Sequence, residues 1–262
     1  MEASELFLVA GAAVLGLIFG SFATVAAHRL PRKESIVKGR SKCPHCGRTI
    51  TAVDNIPVVS YMVLGGRCRG CGARISLRYP LTEAAVAVLF ALVAWKFGLT
   101  AEGVVLAGLF WALVVLSVID LDHKLLPDKI VYPTFVVTWI ALIAIAIARD
   151  EADRLLDAAI GAAIFGGFFF VVALVYPAGM GGGDIKLAFV LGTVLGWLDG
   201  YGLVLVGMFL SFLIGAVAGI AVMMVTGSGR KSQVPFGPFM ALGTIVAVFA
   251  GRPLLDGYTG LF

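Results

Sequence analysis

The chain has 262 residues, 60% of them hydrophobic and 14% charged, with a mean hydropathy of +1.00 and a formal net charge of +4. That is too little polar surface to cover a water-soluble globule, so the composition excludes a soluble domain and points to an integral membrane protein. The small positive excess gives no separate argument for a nucleic-acid partner.

A helix rising about 1.5 Å per residue needs about 20 apolar residues to cross about 30 Å of hydrocarbon. On that count, spans are predicted at roughly 6–27, 81–97, 104–119, 130–148, 156–176, 185–198, 203–225 and 236–250. The expected fold is an all-α polytopic membrane protein of about eight transmembrane helices. The sixth predicted span is short and the eighth starts at Pro235-Phe236-Gly237-Pro238, so seven or nine spans stay open.

The first span follows Met1-Glu2-Ala3-Ser4-Glu5, an acidic rather than basic start, and is full length. It reads as a retained helix and not as a cleaved secretory signal. The loop after it, residues 28–80, carries eleven lysines and arginines against Glu34 and Asp54. Basic residues concentrate in cytoplasmic loops, so this segment is expected inside and the amino terminus outside. Counting alternately, the loops at 122–128, 179–184 and 227–233 (with Arg230 and Lys231) are also cytoplasmic, whereas Asp150, Glu151 and Asp153 lie on the outer side. The basic loop is suited to anionic lipid headgroups or an acidic partner.

All four cysteines lie in that loop, as Cys43-Pro44-His45-Cys46 and Cys68-Arg69-Gly70-Cys71, with 21 residues between the two motifs. Two Cys-x-x-Cys knuckles at this spacing predict a tetrahedral zinc site, and Gly47 and Gly72 follow the knuckles where the chain must turn around a metal. Two disulfides are the alternative, but they rarely persist in a reducing cytosol. His45 reads as a solvated bystander because four thiolates already fill the shell. The division expected is therefore a first helix at 1–27, a zinc-binding loop domain at 28–80 and a membrane core at 81–262.

Two aspartates stand beside apolar runs, Asp120 at the end of the third span and Asp184 at the start of the sixth. A carboxylate near hydrocarbon costs about 2.5 to 3.5 kcal/mol at the bilayer centre and so usually marks a function. The topology puts both at the cytoplasmic boundary, although 64 residues separate them. Two carboxyls brought together share a proton, and such a pair activates water as in an aspartic protease. Gly181, Gly182 and Gly183 allow close approach of an extended substrate, and Pro127 would stop a helix continuing from the third span. From the residues alone, helix caps and proton or ion paths account for the acids equally well.

The blocks Asp120-Leu121-Asp122-His123-Lys124-Leu125-Leu126-Pro127-Asp128, Gly181-x-Gly183-Asp184-Ile185-Lys186 and the two-knuckle loop together resemble the bacterial type IV prepilin peptidases, GxGD membrane aspartic proteases. Gly20-Ser21-Phe22, Arg29-Leu30-Pro31, Asp54-Asn55-Ile56-Pro57, Ser60-Tyr61, Arg78-Tyr79-Pro80 with Glu83, and Pro235-Phe236-Gly237-Pro238-Phe239 extend the likeness over residues 20–240. The chain departs from the family's pattern at Ala23-Thr24 and His28. The resemblance implies that Asp120 and Asp184 are the catalytic pair, that Gly181, Gly183 and Lys186 form an active-site loop, and that Asp122 and Asp128 are secondary. It implies removal of the leader from type IV prepilins or pseudopilins at the cytoplasmic face of the inner membrane. It also implies methylation of the new amino terminus with S-adenosylmethionine, supported by the loop holding Cys43, Cys46, Cys68 and Cys71.

No dinucleotide-type glycine fingerprint is present, so methylation rests on the resemblance. Two other readings stay open: a peptidase whose zinc loop is a structural or recruitment module, and a proton-coupled transporter. The transporter reading would require broken helices around a midplane site, whereas these acids sit at the edge.

Overall fold

Hydropathy alone dictates most of the architecture, because within hydrocarbon a chain must satisfy its backbone hydrogen bonds internally and the helix does so within one segment. The structure, a computed structural model, describes residues 2–176, 180–226 and 235–259. Its helices are α1 (Ala3–Arg29), α2 (Val59–Val63), α3 (Arg78–Phe97), α4 (Ala101–His123), α5 (Asp128–Arg149), α6 (Ala152–Val175), α7 (Gly182–Thr226) and α8 (Gly237–Thr259), with a 3₁₀ turn at Val53–Asn55. Seven of these, all but α2, are long and apolar enough to cross a membrane, and no strand occurs among the described residues. The 227–233 loop with Arg230 and Lys231 falls outside the described residues.

The difference between seven helices and the eight spans expected lies in α7. At 45 residues it would run about 68 Å if straight, more than twice the hydrocarbon thickness. Its backbone breaks at Asp199 (φ −158°, ψ 33°) and Gly200 (φ 65°, ψ −161°), the second a conformation that favours glycine. Leu195 on one arm lies against Gly207 on the other, which a straight helix would hold about 18 Å apart. The two arms therefore fold back as a hairpin, each long enough for one crossing.

The chain divides into two units, Met1–Val115 and Leu116–Phe262. In the first, α1 packs on α3 with backbone against backbone. A Cβ on Gly16 would stand 2.6 Å from Ala87 Cα, and one on Gly20 2.6 Å from Glu83 Cα. Small residues four apart let two membrane helices approach in this way. Trp111 then secures α1 by donating its indole N–H to the Phe19 carbonyl at 2.9 Å and stacking on Phe22. Elsewhere α1 exposes Phe7, Ile18 and Phe19, the surface expected of a helix facing lipid.

In the second unit, α6 crosses α7 where glycine meets glycine: a Cβ on Gly161 would overlap the Gly192 carbonyl oxygen. Gly161→Val is expected to cost roughly 1 to 3 kcal/mol or more by forcing the helices apart. Gly167→Val, whose Cβ would meet nothing within 4 Å, serves as the control. Equilibrium unfolding in detergent that ranked the two variants equally would contradict this packing.

Next to that crossing, Phe169 of α6 and Phe212 of α7 stack at 5.6 Å, and Phe236 joins both at 5.8 and 5.3 Å. These rings anchor the residues that lead into α8. Gly237, the next residue, is thereby held in a buried position close to the end of α4.

Candidate active site

Helix α4 does not stop at its hydrophobic run. It continues through Asp120 and Asp122 to His123 and ends at Lys124, whose φ is +51° and whose N–H donates to the Asp120 carbonyl at 2.8 Å. Asp120 and Asp122 thus lie two residues apart on a helix, about 200° around its axis. Asp120 is only 5% exposed and Asp122 is exposed. A buried carboxylate needs donors, and Asp120 Oδ2 receives the backbone N–H of Gly237 at 3.1 Å. A Cβ on residue 237 would lie 2.8 Å from that oxygen and 3.1 Å from Leu126 Cδ2, so the contact requires glycine.

Asp184 occupies the third position of α7 rather than the cap itself, and the helix already includes Gly182 and Gly183. Its Oδ2 accepts the Gly181 N–H at 3.3 Å, and its own N–H donates to the Gly181 carbonyl at 3.1 Å. An acid at this position satisfies a backbone donor that the helix start leaves open, which is why α7 begins inside the glycine run. The expected active-site loop of Gly181, Gly183 and Lys186 falls on this start of α7. Only Gly181 precedes the helix, while Gly183 and Lys186 belong to its first turns.

Leu126 links the two acids. A Cβ on Gly183 would come 2.8 Å from Leu126 Cβ, and the same side chain packs on Gly237. Gly183, which precedes Asp184, and Gly237, which holds Asp120, thus both pack on this one side chain. Pro127 (φ −66°, ψ 129°) then stands in extended conformation at the cap position just before α5.

Lys186 has a different place from the one expected. Its ammonium donates to Asp128 at 2.7 Å and lies 5.0 Å from the Tyr132 ring centre, joining the first turns of α7 and α5. Asp128 is the first residue of α5, not a loop residue. Asp128, Tyr132 and Gly237 were not legible as partners in the sequence, because each contact is made across helices.

In the first unit the four cysteine sulfurs lie within 4.8 Å of one another, with Cys43 Sγ and Cys71 Sγ 3.9 Å apart. Tetrahedral Zn–S bonds of about 2.3 Å imply sulfurs about 3.8 Å apart, so the cluster has the dimensions of a metal site. The two knuckles repeat one geometry. Cys43 N–H donates to Arg48 O and Gly47 N–H to Cys43 O, both at 2.9 Å, while Cys68 N–H donates to Ala73 O at 2.8 Å and Gly72 N–H to Cys68 O at 2.9 Å. Gly47 and Gly72 have φ of +70° and +69°.

The backbone N–H groups of Cys71 and then Gly70 favour the charged form of Cys68 and hold its thiol down at about 6, so it is a ready thiolate at neutral pH. Asp54 ties the 3₁₀ turn to the second knuckle through Arg69 at 2.8 Å, and that guanidinium holds its carboxyl below the usual range. His45 is exposed and stands outside the cluster.

Comparison with known proteins adds to this geometry. Residues 14–97 match the bacterial peptidase A24 N-terminal domain, and residues 107–224 match the type IV leader peptidase family. The chain is 35% identical to the prepilin leader peptidase/N-methyltransferase of Pseudomonas aeruginosa, over 94% of its own length and 91% of that protein's. The protein of the same name from Bacillus subtilis is 34% identical over 94% and 95% of the two chains, and that from Legionella pneumophila 32% over 97% and 95%. No solved structure gives a significant match.

Proposed function

The chain belongs to the type IV leader peptidase family, and from that premise we propose that it removes the basic leader of type IV prepilins or pseudopilins and then N-methylates the new amino terminus. The reading places Asp120 and Asp184 as the catalytic pair, facing the cytoplasm from a bacterial inner membrane whose lipid also receives the substrate's remaining helix. It keeps the division into a first helix at 1–27, a zinc-binding loop at 28–80 and a protease core at 81–262. Its main support is that Leu126 packs both on Gly183, next to Asp184, and on Gly237, whose N–H donates to Asp120.

Two neighbouring carboxyls hold one proton most cheaply. The ionised partner takes a proton from water, which attacks the scissile carbonyl, while the protonated partner donates to the carbonyl oxygen. The roles reverse as the tetrahedral species collapses, returning a proton to the leaving amine. Gly237 keeps Asp120 oriented through its N–H, and the glycines at the start of α7 leave room for an extended peptide.

The cysteine cluster is read as a structural zinc site, its four thiolates completing the shell. The methyl group is read as coming from S-adenosylmethionine, whose sulfonium supplies an electrophilic carbon when bound. Mass spectrometry of a prepilin co-expressed with this chain tests both activities. Loss of the leader's mass reports cleavage, and the added mass of one methylene on the product reports methylation. An uncleaved precursor would overturn the proposal.

Gly237→Ala probes the site without touching either acid. The added carbon displaces Asp120 Oδ2, so kcat for leader removal is expected to fall about 100-fold with little change in KM, since misplacing a reacting group by about 1 Å costs that much. A Gly237→Ala enzyme with unchanged kcat would show that the amide contact does not position Asp120.

A further inference from the structure

A cavity of about 540 Å³ lies in the first unit, lined by the ends of α1 and α3 that flank the loop and by the knuckles themselves. Ser21 and Thr24 contribute from α1, Tyr79 and Glu83 from α3, and Cys43 and Cys68 from the metal cluster. The volume falls in the range of pockets for small molecules, about 300 to 1,000 Å³.

Glu83 gives the cavity its chemistry. It is 8% exposed, accepts the Val58 N–H at 2.8 Å, and has the Ser21 hydroxyl beside it. Its closeness to α1 is deliberate in the packing sense, since Gly20 opposite leaves no room for a Cβ. Among the described residues no lysine or arginine forms an ion pair with it. Some of the other charged groups of the wall, which also holds Glu34, Arg40, Lys42, Arg48 and Arg74, are engaged within the loop itself. Asp54 is bound to Arg69, and Arg29 donates to the carbonyls of Ser35, Lys38 and Gly39. A buried carboxylate with neutral donors and no ion-pair partner, in a cavity of this volume, suits a ligand that brings a cationic centre to it.

We propose that this cavity is the methyl-donor site, with Glu83 as the countercharge to the sulfonium of S-adenosylmethionine. The assignment rests on the methyltransferase reading above. In methyl transfer the amine nitrogen's lone pair forms the N–CH₃ bond, the S–CH₃ pair passes to sulfur to give a neutral thioether, and the surplus proton leaves nitrogen for water. Arg48 and Arg74, which also line the cavity, fit the carboxylate of the donor's methionine part. The knuckles supply one wall of the cavity.

The test measures binding rather than turnover. Equilibrium binding of S-adenosylmethionine and of the uncharged product S-adenosylhomocysteine is compared for the purified full chain and Glu83→Gln, whose amide oxygen still accepts the Val58 N–H. Affinity for the sulfonium is expected to fall about tenfold while that for the thioether changes less than about threefold, because only the first carries the charge. Zinc content reports that the loop remains folded. Equal affinities in both proteins, or an equal loss for both ligands with zinc retained, would overturn the assignment.

Photocrosslinking of radiolabelled S-adenosylmethionine to the unmutated chain gives an answer even if Glu83→Gln fails to fold. Labelled peptides are expected within residues 21–83, and label confined to residues 116–262 would overturn the site. If the unmutated enzyme cleaves its substrate but never adds a methyl group with donor present, the methyltransferase reading itself fails, whereas methylation with label elsewhere removes only this cavity.

Discussion

Asp120→Asn and Asp184→Asn each reduce leader removal by at least about 10³-fold, the loss expected when one group of an acid–base pair is removed. The reasoning is geometric before it is electrostatic. Asp120 is buried and held by Gly237, Asp184 is fixed by Gly181 in the first turn of α7, and Leu126 packs on both Gly237 and Gly183. An amide in either place keeps the shape of the side chain but cannot pass a proton. Because the acids act as one unit, the double variant is expected to be no slower than the slower single variant. Cleavage of a prepilin in detergent, followed by mass spectrometry, measures this. Zinc content shows whether the variant protein is folded in its first unit. Residual activity within tenfold of the parent in either single variant would remove that residue from the catalytic pair.

The second large effect concerns the metal. Cys43→Ser combined with Cys68→Ser takes one ligand from each knuckle, and the purified protein is expected to lose its zinc entirely. Structural zinc contributes about 10 to 16 kcal/mol in small peptides, so the segment around the knuckles should lose its fold with the metal. Few of its large apolar side chains are buried: Val37, Val53, Met62 and Val63 are all well exposed, and Cys43 is its most buried knuckle residue. A loop with so little core of its own depends on its ligands. Elemental analysis should show about one zinc per chain in the parent and none in the double variant, with new protease sites appearing between the knuckles. Unchanged metal content would sink the zinc assignment, and unchanged protease resistance would show that the loop folds without it.

Much of this was legible in the residues. Bilayer thickness is a single external length, so counting apolar residues recovers the spans to within about four positions at each end, except that α8 runs on past the expected end at 250 to Thr259. The knuckles were legible for a similar reason, since a tetrahedral metal site prescribes ligand type and local spacing, and residues 43–46 and 68–71 meet that prescription without help from the rest of the chain. The α7 hairpin was foreseen as two spans with a break between them, and Gly200 supplies the conformation the break needs.

The active site was legible only in part. Asp120 and Asp184 were marked by their cost beside hydrocarbon, and topology placed them on the same side. Where α7 begins could not be read, because the third-position acid that closes its first turn is itself the residue of interest. The sequence also put Lys186 with the expected active-site loop. The tertiary structure instead pairs it with Asp128, 58 positions away, and lays it beside Tyr132.

By itself, then, the sequence determined a helical membrane chain with a four-cysteine loop and two acids near one membrane face, since each of these follows from local composition against a uniform solvent. Only the tertiary structure decided that Gly237 donates to Asp120 across 117 residues, that Leu126 packs on both Gly183 and Gly237, and that Glu83 is left without an ion-pair partner in a cavity. Those depend on which helix faces pack, and packing is settled by contacts such as Gly161 on Gly192 and Phe236 on Phe212, whose partners are far apart in the chain.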